Sequence, residues 1–319
     1  PSDRGPGRGA PRERQLHDAR RNAMEFDKIA ERMLVEPGKP VKLTDYDPGG
    51  SLTKDTEPLP KEQAKQQAEA LLEQSRLALI EAQELLYATG RYAILIELQG
   101  RDASGKDGVI KHAMSGVNPQ GCEVHAFKQP TPEERAHDFL WRARRVTPAR
   151  GLICIFNRSY YEDVLVVRVH PELLGEDDRK PDRAFWEHRF EAINALEHHL
   201  VRERTVVLKF FLHISKEEQR KRLLERLEDP RKHWKFSPND LAERTYWDDY
   251  TEAYEDALTA TSTKKAPWYV VPADHKWVAR TAVVAIAAHA IQSLDLRFPE
   301  PTPEQLASIA AARARLEQE

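Results

Sequence analysis

The sequence predicts an α/β protein built on a largely parallel sheet with helices on both faces. Three observations carry that expectation. Short apolar, β-like runs recur at Ala93 to Leu98, Glu123 to Phe127, Leu152 to Phe156, Thr205 to Leu212 and Trp268 to Val271. Amphipathic helical patterns fill most of the gaps, at about 106–115, 133–143, 184–200, 215–228, 240–258 and 275–294. Strands that alternate with helices build parallel sheets covered on both sides. Finally, the first β-like run passes directly into a glycine-rich turn, and such sheets bind ligands where strands end and helices begin.

Taken in order, residues 1–22 combine Gly, Pro and Arg without an apolar period and are expected to form a disordered tail. Arg14, Arg20 and Arg21 crowd there as a weak anion-binding feature. Residues 23–90 read as an N-terminal extension and helix. Within them, PVKLTDYDPGG at 40–50 is a short extended segment closed by a turn and lying against the main body. From Lys61 to Tyr87 a long helix places Ala64, Ala68, Leu71, Leu72, Leu79, Ala82 and Leu86 on one face, and Gly90 ends it. Residues 91–298 hold the alternating strands and helices of the main domain. A Pro/Glu segment at 299–304 marks the boundary of a short helical tail, 299–319.

Composition narrows the classes of function. The 319 residues, 40% of them hydrophobic, suffice for one large core or a core with an appended lobe. A formal charge of -3, from 49 basic and 52 acidic side chains, gives no global field that recommends nucleic acid as a partner. Cys122 and Cys154 are too few for a disulfide scaffold or a cysteine-built metal cluster and read as unreactive thiols. The sequence shows neither signal-peptide order nor a stretch long and apolar enough for a bilayer, so the expected location is cytoplasmic, with no membrane partner.

The most informative stretch is ILIELQGRDASGKDG, Ile94 to Gly108. Small residues let backbone N–H groups converge, a following helix adds its positive end, and together they form a concave site for phosphate oxygens. Gly100, Ala103, Ser104, Gly105 and Gly108 supply the loop and Lys106 a mobile positive charge. The letters fit G-x-x-x-x-G-K from Gly100 to Lys106, except that Asp107 stands where the motif places a Ser or Thr for magnesium. Either Asp107 supplies a carboxylate at a different reach, or Asp102 takes the metal. The same letters also suit a plain glycine turn with Lys106 exposed to solvent.

Further constellations surround it. The run LICIFNRSYY, Leu152 to Tyr161, ends where related loops place an Asp near magnesium, and here the residue is Asn157, a neutral and weaker ligand. Asp102 must then carry more charge compensation, with Glu162 or Asp163 as helpers or as ordinary helix-start acids. Arg158 is placed to meet a transferring phosphoryl group, or to form a surface pair. In SKEEQRKRLLERLEDPRKHWK, Ser215 to Lys235, Ser215 and Glu218 read as a capping box. Arg222 and Arg226 share a face of this helix, and a basic turn follows, so the segment at about 215–238 reads either as a lid that closes over phosphates or as an ordinary solvated helix laced with ion pairs. Lys276 and Arg280 share a later helical face, where they either contact phosphate or base or serve the surface. Asp248, Asp249 and Glu252 with Tyr246, Trp247, Tyr250 and Tyr254 either face a base or pack beneath an exposed acidic surface, with packing the expected use. The histidines lack the spacing of a zinc helix, there is no nucleophile elbow, and Asp47 to Gly50 precedes the loop where a nucleotide switch should follow it.

The segments GRDASGKDG at 100–108, VNPQG at 117–121, FNRSYYEDVLVVRVH at 156–170, SKEEQRKRLLERLEDPRKHWKF at 215–236 and PWYVVPADHKWVAR at 267–280, with KLTDYDPGG at 42–50, together resemble the polyphosphate kinase 2 family. The resemblance implies a P-loop kinase-like sheet flanked by helices with a helical lid, and magnesium-dependent phosphoryl transfer between inorganic polyphosphate and nucleotides (AMP, ADP and ATP). It also implies a homo-oligomer. By the same resemblance Asp102 binds or organises Mg2+, Lys106 and Arg158 contact the transferring phosphates, and Arg222 and Arg226 belong to the lid; Asn157 and Glu162 join Asp102 as metal candidates from the residue pattern alone. Many relatives have Asp in place of Asn157 and Gly in place of Asp107, and both departures look like the subgroup that phosphorylates AMP as well as ADP. Two other expectations stand beside this one: an ATP-dependent nucleotide kinase, and an inert phosphate-binding or assembly protein, which Asn157 favours.

Overall fold

In the computed structural model, the structure describes residues 24–52, 60–174 and 181–319. The disorder expected for residues 1–22 lies outside them. Five strands form one sheet: β1 (Ala93–Gln99), β2 (Cys122–Ala126), β3 (Ile153–Asn157), β4 (Thr205–His213) and β5 (Trp268–Pro272). They run in the order β2-β3-β1-β4-β5, and every pairing is parallel. The connections leave β1 toward both edges, so the strand order reverses there, and a crevice opens beyond its carboxyl end. All seven residues of β1 are buried, as a central parallel strand requires. By contrast, Glu123, Val124 and Ala126 of the edge strand β2 are exposed.

The helices are α1 (Lys61–Thr89), α2 (Lys106–Ala113), α3 (Glu162–Val169), α4 (Arg183–Arg202), α5 (Lys216–Glu228), α6 (Trp247–Thr261), α7 (Lys276–Gln292) and α8 (Pro303–Leu316), and residues 24–33 are also helical. One face of the sheet presents Ile94, Ile96 and Leu98 to α1 and α7. From α7, Val278, Ala282, Val283 and Ile286 are buried; the helix is apolar nearly all round because α1 covers the side that the sheet does not. The other face presents Leu95, Phe156, Val207 and Phe211 to α3, α4 and α6. Each layer therefore closes against a sheet whose two sides are both dry, which fixes the strand ends relative to one another.

The expected boundaries hold to within a residue or two for the strands and for α1, which ends at a left-handed Gly90 as anticipated. Three places differ. The helix expected at 133–143 breaks into the single turns Pro132–Arg135 and Trp141–Arg144. Between them the Asp138 carboxylate accepts from the Leu140 N–H at 3.1 Å, offering the backbone a local alternative to the helix. The expected 240–258 helix is divided by a 3-10 turn at Arg244–Tyr246 before α6. Residues Glu162–Val169, which the helical patterns leave out although Glu162 and Asp163 can read as helix-start acids, form α3 with both acids in its first turn, and Val164 and Leu165 are buried in the core.

Segment 40–50 lies against the body as expected. Leu43 is buried, its N–H donates to Glu255 Oε1 at 2.8 Å, and the Asp274 N–H donates to the Pro48 carbonyl at 3.0 Å. Burial pushes the Cys122 thiol to about 11 and the Cys154 thiol to about 12, in keeping with unreactive cysteines. Helix α8 begins at a Thr302–Gln305 capping box, and all its residues are exposed. Among the described residues no helix is long and apolar enough to cross a membrane.

Candidate active site

The loop after β1 is held by three devices. Gly100 has φ +153°, and a Cβ there would lie 2.7 Å from Ser104 Oγ and 3.0 Å from the Leu212 carbonyl, so only glycine lets the chain turn this closely past β4. Ala103 adopts φ +61°, a left-handed conformation that costs a non-glycine residue about 1–2 kcal/mol. The buried Arg222 guanidinium offsets that strain. Its Nη1 donates to the Ala103 and Ser104 carbonyls at 3.0 Å, and its Nη2 to the Ala273 and Asp274 carbonyls at 2.6 and 2.9 Å. Its Nε donates to Glu218 Oε1 at 2.8 Å. Arg222 was expected to serve the lid beside Arg226; here it ties α5 to the loop and to the end of β5. The expected capping box at Ser215 is half formed for the same reason. The Ser215 hydroxyl accepts from the Glu218 N–H, while the Glu218 carboxylate turns to Arg222.

Lys106, the first residue of α2, is buried, and its Nζ donates to the Gly100 and Arg101 carbonyls. Burial and the neighbouring Arg158 lower its ammonium from the ordinary lysine range to about 8. It is therefore a coiled, partly desolvated donor rather than a free surface charge. Arg158 follows the end of β3 with φ +63°, and its N–H donates to the Leu98 carbonyl at 3.0 Å. Its side chain lies between two carboxylates, with Nη2 2.8 Å from Asp102 Oδ1 and Nη1 2.9 Å from Glu162 Oε2. Those two charges hold the guanidinium above its usual range, Glu162 more than Asp102. Asp107 accepts from Asn157 Nδ2 at 3.1 Å and from Lys235 at 3.3 Å; burial opposes these contacts, but their sum keeps its carboxyl below the ordinary value.

Around this loop lies a cavity of about 480 Å³. Of the expected site residues, Asp102, Ala103, Ser104, Gly105, Lys106, Asp107, Gly108, Asn157, Arg158, Arg222 and Arg226 all line it. Nine cationic side chains face three carboxylates there, a local excess of positive charge in a chain that is slightly acidic overall. Arg226, Lys232 and Lys235 come from α5 and the turn after it, and Lys276 and Arg280 come from α7. Gly100 and Glu162 instead line a second cavity of about 50 Å³, which shares Asp102 and Arg158 with the first. The Asp102–Arg158 pair thus stands at the wall between the two spaces.

Two features escaped the sequence reading. Lys128 lines the large cavity just beyond β2, and its signal was its place after a strand of the parallel sheet. Arg101 lies in the smaller cavity, its guanidinium 3.6 Å from the Trp247 ring, and burial lowers it to about 10. Trp247, Tyr250 and Tyr254 line that smaller cavity, and Tyr254 is also buried in the core as expected.

A family profile described as Polyphosphate kinase 2 (PPK2) matches residues 62–299. An ADP-polyphosphate phosphotransferase from Rhodopseudomonas palustris is 48% identical over 259 residues, which cover 80% of this chain and 89% of that protein. An AMP/ADP-polyphosphate phosphotransferase from Meiothermus ruber is 44% identical over 267 residues, 84% of this chain and 94% of its own. The crystal structure of a polyphosphate kinase 2 from Arthrobacter aurescens superposes with a TM-score of 0.81 at 42% identity, covering 92% of this chain and 97% of that one.

Proposed function

We infer how the site works from the premise that the chain belongs to the polyphosphate kinase 2 family and transfers phosphoryl groups between inorganic polyphosphate and nucleotides. In this reading both AMP and ADP are acceptors, as the name of the Meiothermus ruber relative has it for that protein. The observation that carries the reading is the 480 Å³ cavity with nine cations against three acids, which suits a chain of phosphates better than one compact triphosphate.

The acceptor's terminal phosphate oxygen attacks the end phosphorus of polyphosphate in line. A new P–O bond forms, and the bond to the shortened chain breaks as that chain leaves with the electron pair. Backbone N–H groups of the loop and the N-terminus of α2 receive the phosphate oxygens. Lys106 exchanges the Gly100 and Arg101 carbonyls for phosphate, and Arg158, held by Asp102 and Glu162, meets the charge that develops on the transferring group. Arg226, Lys232 and Lys235 cover the far side of the cavity and exclude water, which limits hydrolysis. Arg222 keeps the loop in shape.

The donor set fits Mg2+: Asp102, Asp107 and Asn157 bring hard oxygen atoms to the same cavity wall, and a small divalent ion that keeps several waters needs only one or two carboxylates. Asp102 and Asn157 would hold it, and Glu162 contributes through Arg158. Magnesium, when bound, would supply positive charge that offsets the negative charge of the phosphates. The reading extends to a homo-oligomer working in the cytoplasm.

The test incubates pure protein with magnesium, polyphosphate and either AMP or ADP, then repeats with ATP as donor and identifies products by chromatography. ADP formed from AMP, and ATP formed from ADP, with polyphosphate as the better donor is the expected result. Faster turnover with ATP than with polyphosphate would overturn it.

A further inference from the structure

Beneath the strand ends lies a buried polar cluster with no part in the chemistry above. Glu97 in the middle of β1, Glu197 on α4 and Lys209 on β4 are shielded from solvent, a costly arrangement unless each is paired. The Tyr160 hydroxyl bonds to Glu97 Oε1 and lies 3.1 Å from Glu197 Oε1, to which the Tyr161 hydroxyl donates at 2.7 Å. Lys209 Nζ donates to Glu197 Oε2, to the Tyr161 hydroxyl at 3.1 Å and to the Thr261 carbonyl at 2.7 Å. Among the described residues Glu97 Oε2 has no hydrogen-bond partner. The one ammonium in the cluster thus bonds Glu197 and not Glu97. Burial, and the charge of Glu197, push the Glu97 carboxyl up to about 8, so it keeps a proton at neutral pH.

The two tyrosines tie this cluster to the site. They follow Arg158 by two and three residues, and Arg158 has the left-handed backbone that a non-glycine residue keeps only when its surroundings over-determine it. Three hydrogen bonds restrain the turn. The Arg158 N–H bonds the Leu98 carbonyl, the Tyr160 hydroxyl bonds Glu97 one residue earlier on the same strand, and the Tyr161 N–H donates to Ser159 Oγ at 3.2 Å. We propose that Glu97 and Tyr160 are positioning residues for Arg158, fixing the turn after β3 so that the guanidinium meets the transferring phosphoryl group. This rests on the role given to Arg158 above. Neither residue lines either cavity, so any effect on turnover must pass through the turn.

The test is a double-mutant cycle on the whole protein, with kcat and KM measured for polyphosphate and ADP, and folding checked by near-ultraviolet circular dichroism. Tyr160→Phe is expected to lower kcat about tenfold with little change in either KM, and Arg158→Lys to lower it further. The double variant should be no slower than Arg158→Lys alone, because the hydroxyl acts through the residue already altered. Glu97→Gln, which matches the neutral acid in shape, should keep kcat within about twofold. Multiplying losses in the double variant, or an unchanged kcat in folded Tyr160→Phe, would overturn the proposal. If Tyr160→Phe does not fold, Glu97→Leu takes its place in the cycle. An Arg158→Lys enzyme as fast as the parent would overturn the role of Arg158 itself, and the proposal with it.

Discussion

Replacing Arg222 by Met removes one of the most heavily bonded side chains of the protein while keeping most of its stem. Five hydrogen bonds disappear, four to main-chain carbonyls and one to Glu218, at a residue that is only 5% exposed. At about 1–3 kcal/mol for each buried group left without a partner, a simple sum would overshoot, because the adjoining cavity lets water reach some of the carbonyls. The loss on breaking a buried charged pair, about 3–5 kcal/mol, is the better working figure. For a domain of this size it lowers the melting temperature by on the order of 10 °C. Thermal unfolding followed by circular dichroism reads this directly, and steady-state kinetics should show kcat falling as the Ala103–Ser104 carbonyls lose their anchor. If Arg222→Met melts within about 2 °C of the parent and only raises KM for polyphosphate, Arg222 belongs on the phosphate and the clamp is refuted.

Other consequences follow from the same geometry. Gly100→Ala puts a Cβ against Ser104 Oγ and the Leu212 carbonyl, and a loop displaced by about 1 Å should lose on the order of a hundredfold in kcat/KM; near-parent kinetics would show that the turn is not needed. Lys106, lowered to about 8, is partly neutral near pH 8.5 in the free protein, and a bound polyanion restores its charge. Calorimetry in two buffers of different ionisation enthalpy should therefore show proton uptake on binding polyphosphate at pH 8.5 and little at pH 6.5. The sign for stability is opposite to that of a salt-bridged lysine. Between about 8 and 10.5 the unfolded chain holds more protons at Lys106, so its contribution grows more favourable as pH rises through that window. Lys235→Ala breaks a partly exposed pair with Asp107 worth at most about 1 kcal/mol, so the melting temperature should hold, while KM for polyphosphate rises and becomes less sensitive to salt.

The sheet was legible because buried parallel strands read as continuous apolar runs bounded by turns, and the phosphate loop because its glycines and lysine stand in a fixed order after one of them. What the sequence could not show is which distant backbone a side chain meets. Helical periodicity puts Arg222 and Arg226 on one face, yet only the fold brings Arg222 to the Ser104 carbonyl, 118 residues away, while Arg226 pairs with Asp240. The same limit hid Glu97 and Lys209. Each appears as one charged letter inside an apolar strand, and its meaning depends on Glu197 and Tyr160 arriving from other elements. Glu162, expected as a helper at the metal or as a helix-start acid, bonds Arg158 from the first turn of α3 and lines the smaller cavity. At Glu162–Val169 the β-branched run masked a helix to which only its two leading acids pointed, and the burial of Val164 and Leu165 holds it.

The central claim is that the loop, its cations and Asp102 together carry metal-assisted transfer from polyphosphate to a nucleotide. Phosphorus NMR of the magnesium-supplied protein with polyphosphate and AMP, run beside an Asp102→Asn variant of unchanged fold, tests it most directly. The account predicts ADP and ATP resonances growing at the expense of polyphosphate for the parent, with the variant slower by on the order of a hundredfold or more. Equal magnesium-dependent rates for the two proteins, or no conversion by the parent, would contradict it.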